Sequence, residues 1–200
     1  METSLNNRSN NHSNYQREII TTKAHTSQLL ELFEEQLKNT LWSERALINA
    51  IPRMISLATS EDLILELTDN LKQTHEHITR LAKIFRNIEK KPTTIKCETM
   101  ERLIAEASDM MEDCEKGAKC DAGIIAAAQK IEHYEIATYG TLRQFAETLG
   151  LREAERLLMI TLKEEKEADY KLTDVAIQKV NMMAASVKMK ELSNQMEHYE

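Results

Sequence analysis

Gln129-Lys130-Ile131-Glu132-His133-Tyr134-Glu135-Ile136-Ala137 is the stretch on which the fold of this chain turns. Taken at the three- and four-residue spacing of a helix, its inward stripe runs Ile125, Ala128, Glu132, Glu135, Tyr139, Leu142. Two glutamates therefore occupy positions where a soluble helix has apolar side chains. A buried carboxylate without a partner costs several kcal/mol or takes up a proton, so this helix needs cations, protons or donors around it. The rest of the chain has to supply them.

The same spacing predicts three more long helices. Over residues 27–58 the stripe is Leu30, Phe33, Leu37, Leu41, Ile48 and Ile51, with Glu44 in the position between Leu41 and Ile48. Pro52 removes one backbone donor and should bend this helix near its end. Thr59-Ser60-Glu61-Asp62 then gives capping side chains and first-turn carboxylates to a second helix over 61–88. Its stripe is Ile64, Leu67, Leu71, Thr74, Ile78, Leu81, Phe85, Ile88, and His77 lies one turn beyond the polar Thr74 on the same side. Glu89 to Thr94 breaks the pattern, a shorter amphipathic helix follows over 97–115, and Gly117 stops it. Asp121 reads as the cap of the third long helix, which runs to Thr148 before a reversal at Gly150. The fourth begins near Arg152 with the stripe Ala154, Leu158, Thr161, Glu165, Ala168, Leu172, Val175, so Glu165 is again a carboxylate at a core position.

Composition agrees with an all-α chain. Of 200 residues only four are Gly and two Pro, too few for the turns of an all-β protein. The expected organisation is a disordered tail over 1–26, rich in Asn, Ser and Thr, one helical domain over 27–180, and a partly helical extension over 181–200 carrying Met182, Met183, Met189 and Met196. A net charge of -7 speaks against general nucleic-acid binding. No segment approaches the ~20 apolar residues of a membrane span, and the polar N-terminus lacks a signal peptide's apolar core, so the cytosol is the expected compartment. Cys97, Cys114 and Cys120 show no CxxC spacing and read most simply as free thiols.

A short link, a long link and another short link join the four long helices, which is the connectivity of the single-crossover bundle of ferritin-like folds. Glu44, His77, Glu132, Glu135 and Glu165 all fall near the midpoints of their helices, so they should converge in one layer of the core. Oxygen-rich ligation with one imidazole suits iron(II), manganese(II) or zinc(II) better than copper(I), and two metals bridged by carboxylates would neutralise such a layer most completely. Such a centre could bind dioxygen or peroxide and exchange electrons. A protonated or salt-bridged layer that fixes helix register without metal is the alternative.

The runs Ala126-Ala127-Ala128-Gln129-Lys130-Ile131-Glu132-His133-Tyr134-Glu135-Ile136-Ala137-Thr138-Tyr139-Gly140-Thr141-Leu142-Arg143, Lys96-Cys97-Glu98, and Glu164-Glu165-Lys166 with Asp169 resemble the YciF-like stress-associated proteins of the ferritin-like superfamily. The resemblance covers residues 27–180 and implies a four-helix bundle that forms a homodimer. The wider superfamily, rubrerythrin-like members in particular, uses a glutamate on the first helix, Glu-x-x-His on the second, Glu-x-x-Glu on the third and Glu-x-x-His on the fourth. Carried across, Glu44, His77, Glu132, Glu135 and Glu165 match, whereas Thr74 replaces a bridging carboxylate and Ala168 a histidine. Asp169, one residue farther along, is a substitute ligand. His133 points about a hundred degrees away from its neighbouring ligand, while Tyr139 could donate to a carboxylate or simply pack. Two functions follow as expectations: a cytosolic protein holding one or two iron or manganese ions, with zinc as a further candidate, in oxidative or peroxide defence, or a metal-free helical dimer that binds a partner. Iron storage would need a multimeric shell that nothing in the sequence indicates.

Overall fold

Each inward stripe becomes the buried face of a helix in the computed structural model, which describes residues 6–186 and their side chains from residue 28 onward. The elements are α1 (Asn6–Leu57), α2 (Glu61–Asn87), α3 (Glu98–Glu112), α4 (Ala118–Thr148) and α5 (Arg152–Val175). A π-helical turn at Ala176–Val180, which the sequence pattern does not foreshadow, carries α5 on into a helical stretch described as far as residue 186. No described helix is long and apolar enough to cross a membrane.

Only part of the expected tail is among the described residues. Residues 1–5 lie outside the described residues, and from Asn6 the backbone already belongs to α1. Once a helix is nucleated, each added residue gains a hydrogen bond without a new nucleus, so a polar sequence can prolong a helix begun inside the bundle. Among the described side chains, Leu30 and Phe33 are the first that pack into the core. Of the C-terminal extension, residues 181–186 are helical and the remainder lies outside the described residues.

α1 pairs with α2 and α4 with α5, while α2 packs on α5 and α1 on α4. Contacts between helices fix the directions. Lys90, just past α2, meets Glu34, far along α1 from the α1–α2 turn; Lys179, just past α5, meets Asp62 at the start of α2. The first turn of α4 meets the α1–α2 turn through Asp121. Hence α4 runs parallel to α2, and the chain between them must return along the length of the bundle. It does so beside α1, where the Ile95 amide donates to the Lys38 carbonyl at 3.3 Å, and then as α3 packed on α1 and α4. This is a four-helix bundle with one crossover carrying an extra helix.

Two turns close by the same device. After α2 the amides of Glu89 and Lys90 return to the carbonyls of Arg86 and Phe85 at 3.0 and 2.9 Å; after α4 those of Gly150 and Leu151 return to Glu147 and Ala146 at the same distances. Both need a left-handed residue, and Gly150 has φ 70° where Glu89, at φ 57°, bears the steric cost of a side chain.

Asp121 corrects one expectation. α4 begins at Ala118 with Gly117 before it, so Asp121 is not its cap. Its carboxylate, 2% exposed, instead accepts from the Thr59 amide (2.8 Å), the Thr59 hydroxyl (2.7 Å) and the Ser60 amide (2.9 Å). Ser60 in turn caps α2 by accepting from the Leu63 amide. One carboxylate thus ties the α1–α2 turn to α4.

The core is divided. One apolar cluster gathers Leu47, Ile51, Met54, Leu63, Leu67, Ile124 and Leu172; the other gathers Phe33, Leu37, Leu41, Leu81, Phe85, Leu142 and Leu158. Between them on every long helix lies a polar residue: Glu44, His77, Glu132, Glu135 or Glu165.

Removing Asp121 leaves the buried Ser60 amide and the partly buried Thr59 amide without their acceptor, and a hydrogen bond to a charged group contributes ~1.5–3 kcal/mol. Asp121→Ala should therefore destabilise the protein by about 3 kcal/mol in urea unfolding, whereas Asp109→Ala, on the exposed face of α3, should change it by under about 0.5 kcal/mol.

Candidate metal centre

Four helices place one layer of side chains at the same height because each carries its polar residue between two apolar turns. Glu44 comes from α1, His77 from α2, Glu132 and Glu135 from α4, and Glu165 from α5; each is at most 4% exposed. They form two triads that share Glu165. Glu44, His77 and Glu165 bring one ligand atom each to within 4.8 Å of one another, and Glu132, Glu135 and Glu165 do the same.

His77 sits at the centre of a polar chain. Its Nδ1 faces into the layer, 3.4 Å from Glu44 Oε1 and 3.0 Å from Glu165 Oε1. Its Nε2 faces outward and lies 3.0 Å from Glu164 Oε2. Glu164 is held by Arg80, whose Nη2 donates to Oε1 at 2.9 Å and whose Nη1 donates to Oε2 and, at 3.1 Å, to the Thr161 hydroxyl. Burial raises the Glu164 pKa, but hydrogen bonds from His77 and Arg80 outweigh it and hold the carboxyl down at about 2. Burial disfavours a charge on His77, yet Glu44, Glu164 and Glu165 together raise its pKa well above the ordinary value.

None of the four glutamates of the layer is fully satisfied. Tyr139 donates its phenol to Glu44 Oε1 and sets its ring edge-on to His77, with centroids 5.9 Å apart. Asn70 Nδ2 donates to Glu132 Oε1 at 2.7 Å. Glu44 Oε2, Glu132 Oε2, Glu135 Oε1 and both oxygens of Glu165 are buried and have no hydrogen-bond partner among the described residues. Desolvation, reinforced by the neighbouring Glu165 charge, raises Glu132 and Glu135 well above the ordinary carboxylate value; desolvation also raises Glu44 against the pull of His77. Tyr139 is pushed up by the same burial and by the carboxylates around it.

Of the residues expected at the site, these five converge and Asp169 does not. Asp169 is held away from the layer, 3.2 Å from Gln129 Nε2 and 3.3 Å from His133 Nε2. Its position one residue after Ala168 turns it round α5 by a helical step, and it finds its partners on the outer face of α4. Thr74 is buried but turns its hydroxyl back to the Asn70 carbonyl at 3.0 Å, and Ala168 brings no donor. Asn70, Arg80 and Glu164 were not anticipated. Arg80, one turn beyond His77, carried the only signal: a cation at that spacing implies an anion on the facing helix.

The site fits divalent cations. Four ionised carboxylates against one imidazolium leave three negative charges in an apolar core, and five carboxylate oxygens await a partner. Two divalent ions with His77 neutral would bring the layer to zero. A carboxylate on the far nitrogen of a histidine is also how metal-binding imidazoles are usually oriented.

The family described as "Domain of unknown function (DUF892)" matches residues 28–185. Protein YciF of Escherichia coli (strain K12) is 43% identical over 155 residues, which are 77% of this chain and 93% of that protein. The crystal structure of the E. coli stress protein YciF superposes with a TM-score of 0.73 at 42% identity, covering 76% of this chain and 97% of that one. The structure of YcfI from Rhodopseudomonas palustris, described as a candidate structural protein, does so with a TM-score of 0.70 at 39% identity, over 72% and 92% of the two chains.

The raised values fix a sign for stability. A carboxyl that keeps its proton in the fold but loses it near 4.5 when unfolded contributes stability at low pH that is lost as pH rises through its folded value, and a histidine raised above 6.5 acts in the same direction. The metal-free protein should lose melting temperature as pH rises above about 5, a course that differential scanning calorimetry would follow. Added manganese(II) should flatten that slope, because the cation replaces the protons.

Proposed function

We propose that this chain, which belongs to the DUF892 family of YciF-like proteins, holds one or two divalent transition-metal ions between Glu44, His77, Glu132, Glu135 and Glu165 and serves in defence against peroxide or dioxygen under stress. The observation that carries the reading is the convergence of five buried, unpartnered carboxylate oxygens on two triads. Glu165 would bridge, since it belongs to both triads. Iron or manganese bound there supplies one-electron redox chemistry toward oxygen species, which no side chain of the layer has by itself.

The chain's own residues do the rest. Tyr139 orients Glu44, and Asn70 orients Glu132. Glu164, fixed by Arg80, holds the His77 proton on Nε2 and leaves the Nδ1 lone pair directed into the layer. The apolar clusters above and below exclude water. As a ferritin-like protein of this kind, the molecule is taken to be a cytosolic homodimer without nucleic-acid or membrane partners.

A second reading has its own support. Thr74 and Ala168 offer no ligand, a neighbouring structure is described as a candidate structural protein, and a protonated layer could fix helix register by itself. Metal content separates the two. Elemental analysis of protein purified without chelator or affinity metal, before and after anaerobic iron(II) or manganese(II), should give one or two ions per chain. Glu132→Ala should hold none, and Asn70→Ala should bind about 10- to 100-fold more weakly. No uptake by the unaltered protein would leave the metal-free layer as the function of these residues.

A further inference from the structure

We propose that copies of this chain join through the outer face of α5, packed antiparallel on the same face of a second copy. The inference rests on the homodimer reading above and names the contact that joins the copies. Among the described residues eight large apolar side chains are exposed, and five of them, Met159, Tyr170, Ile177, Met182 and Met183, lie on α5 and its continuation. The inner stripe of α5 is already buried in the bundle. A second apolar line gathered on one helix marks a surface that another molecule covers.

The outer face has a definite order. Met159, Lys163, Lys166, Tyr170, Asp174 and Ile177 follow one another at steps of three or four residues, and at a hundred degrees per residue they share a sector of about 80°. Met159, Tyr170 and Ile177 are 51%, 65% and 64% exposed. Lys171, on the flank facing α2, is engaged within the chain, 3.5 Å from Glu66 and 3.8 Å from Glu167. Lys163, Lys166 and Asp174 have no ion-pair partner among the described residues.

Read backwards, that order complements itself. A two-fold axis through residue 168 sets Met159 against Ile177 of the second copy, Lys166 against its Tyr170, and Lys163 within one residue of its Asp174. Each pair then occurs twice. The apolar ends cover one another, and between them lie two lysine–aspartate pairs and two ammonium groups over aromatic rings. The contact from Met159 to Ile177 is about 27 Å long. A parallel pairing would set each lysine against itself, which like-charge repulsion disfavours. Glu165 and Ala168 are buried on the opposite side of α5, so the contact does not require bound metal.

Analytical ultracentrifugation of the full chain in the presence of chelator tests the contact. The unaltered protein should sediment as an assembly of identical copies. Asp174→Lys, which twice sets a lysine against Lys163 of the second copy, should raise the dissociation constant about 100-fold and halve the mass at micromolar concentration. Lys163→Asp combined with Asp174→Lys restores the opposite charges and should restore the mass. Both positions lie off the buried face of α5, and thermal melts followed by circular dichroism should match the unaltered protein. A monomeric unaltered protein would overturn the homodimer reading and this contact together. An assembly that Asp174→Lys leaves intact, or that the double exchange does not recover, would overturn the α5 contact alone and assign the homodimer to another face.

Discussion

Electroneutrality in a dry layer is the constraint on which this structure depends. Four carboxylates and one imidazole lie within one slice of an otherwise apolar bundle. A charge moved into such a medium costs several kcal/mol even after relaxation, and like charges at these distances add to that cost. The layer is therefore stable only with protons or cations in it. The raised values of Glu44, Glu132, Glu135 and His77 express one solution, and the unpartnered oxygens point to the other.

The fold makes that constraint bearable by surrounding the layer with apolar side chains. Leu37, Leu41, Leu81 and Phe85 on one side, and Leu47, Ile51, Leu67 and Ile124 on the other, put the layer between two apolar clusters. The second buried carboxylate system, Asp121 with Thr59 and Ser60, shows the contrast. There three donors meet the acid, and no shortage of partners remains. Two groups of buried carboxylates in one small domain thus differ in kind: one is satisfied by the backbone it ties together, the other is left open by design of its neighbours.

The helical spacing made the layer legible, because an inward glutamate at Leu41–Glu44–Ile48 or Ala128–Glu132–Glu135 departs from a strong apolar period. Connectivity was legible too, since only one link is long. What the spacing could not show is which side chains meet across helices. Tyr139 reaching Glu44, Asn70 reaching Glu132 and Glu164 reaching His77 depend on the rotation of each helix about its axis and on rotamers, neither of which a one-dimensional pattern contains. Asp121 was misread for a related reason: an acid near a helix start is ordinarily its cap, and only the packing of α4 against the α1–α2 turn gives it other donors. Asp169 failed as an inward substitute because one residue is a rotation of about a hundred degrees, and Gln129 and His133 claim it there.

The absence of a carboxylate at Thr74 and of an imidazole at Ala168 gives the two triads different chemistry. Glu44, His77 and Glu165 offer a nitrogen with oxygens; Glu132, Glu135 and Glu165 offer oxygens alone. Under the proposed reading the first suits iron(II) or zinc(II) and the second a harder ion such as manganese(II). Because Glu165 serves both, filling one triad draws charge from the other. A metal in the first would lower the repulsion that Glu165 exerts on Glu132 and Glu135, while taking an oxygen that the second needs. Under that reading, unequal, stepwise occupancy would follow from these two opposed effects on a single shared carboxylate, rather than from any loss of the layer itself.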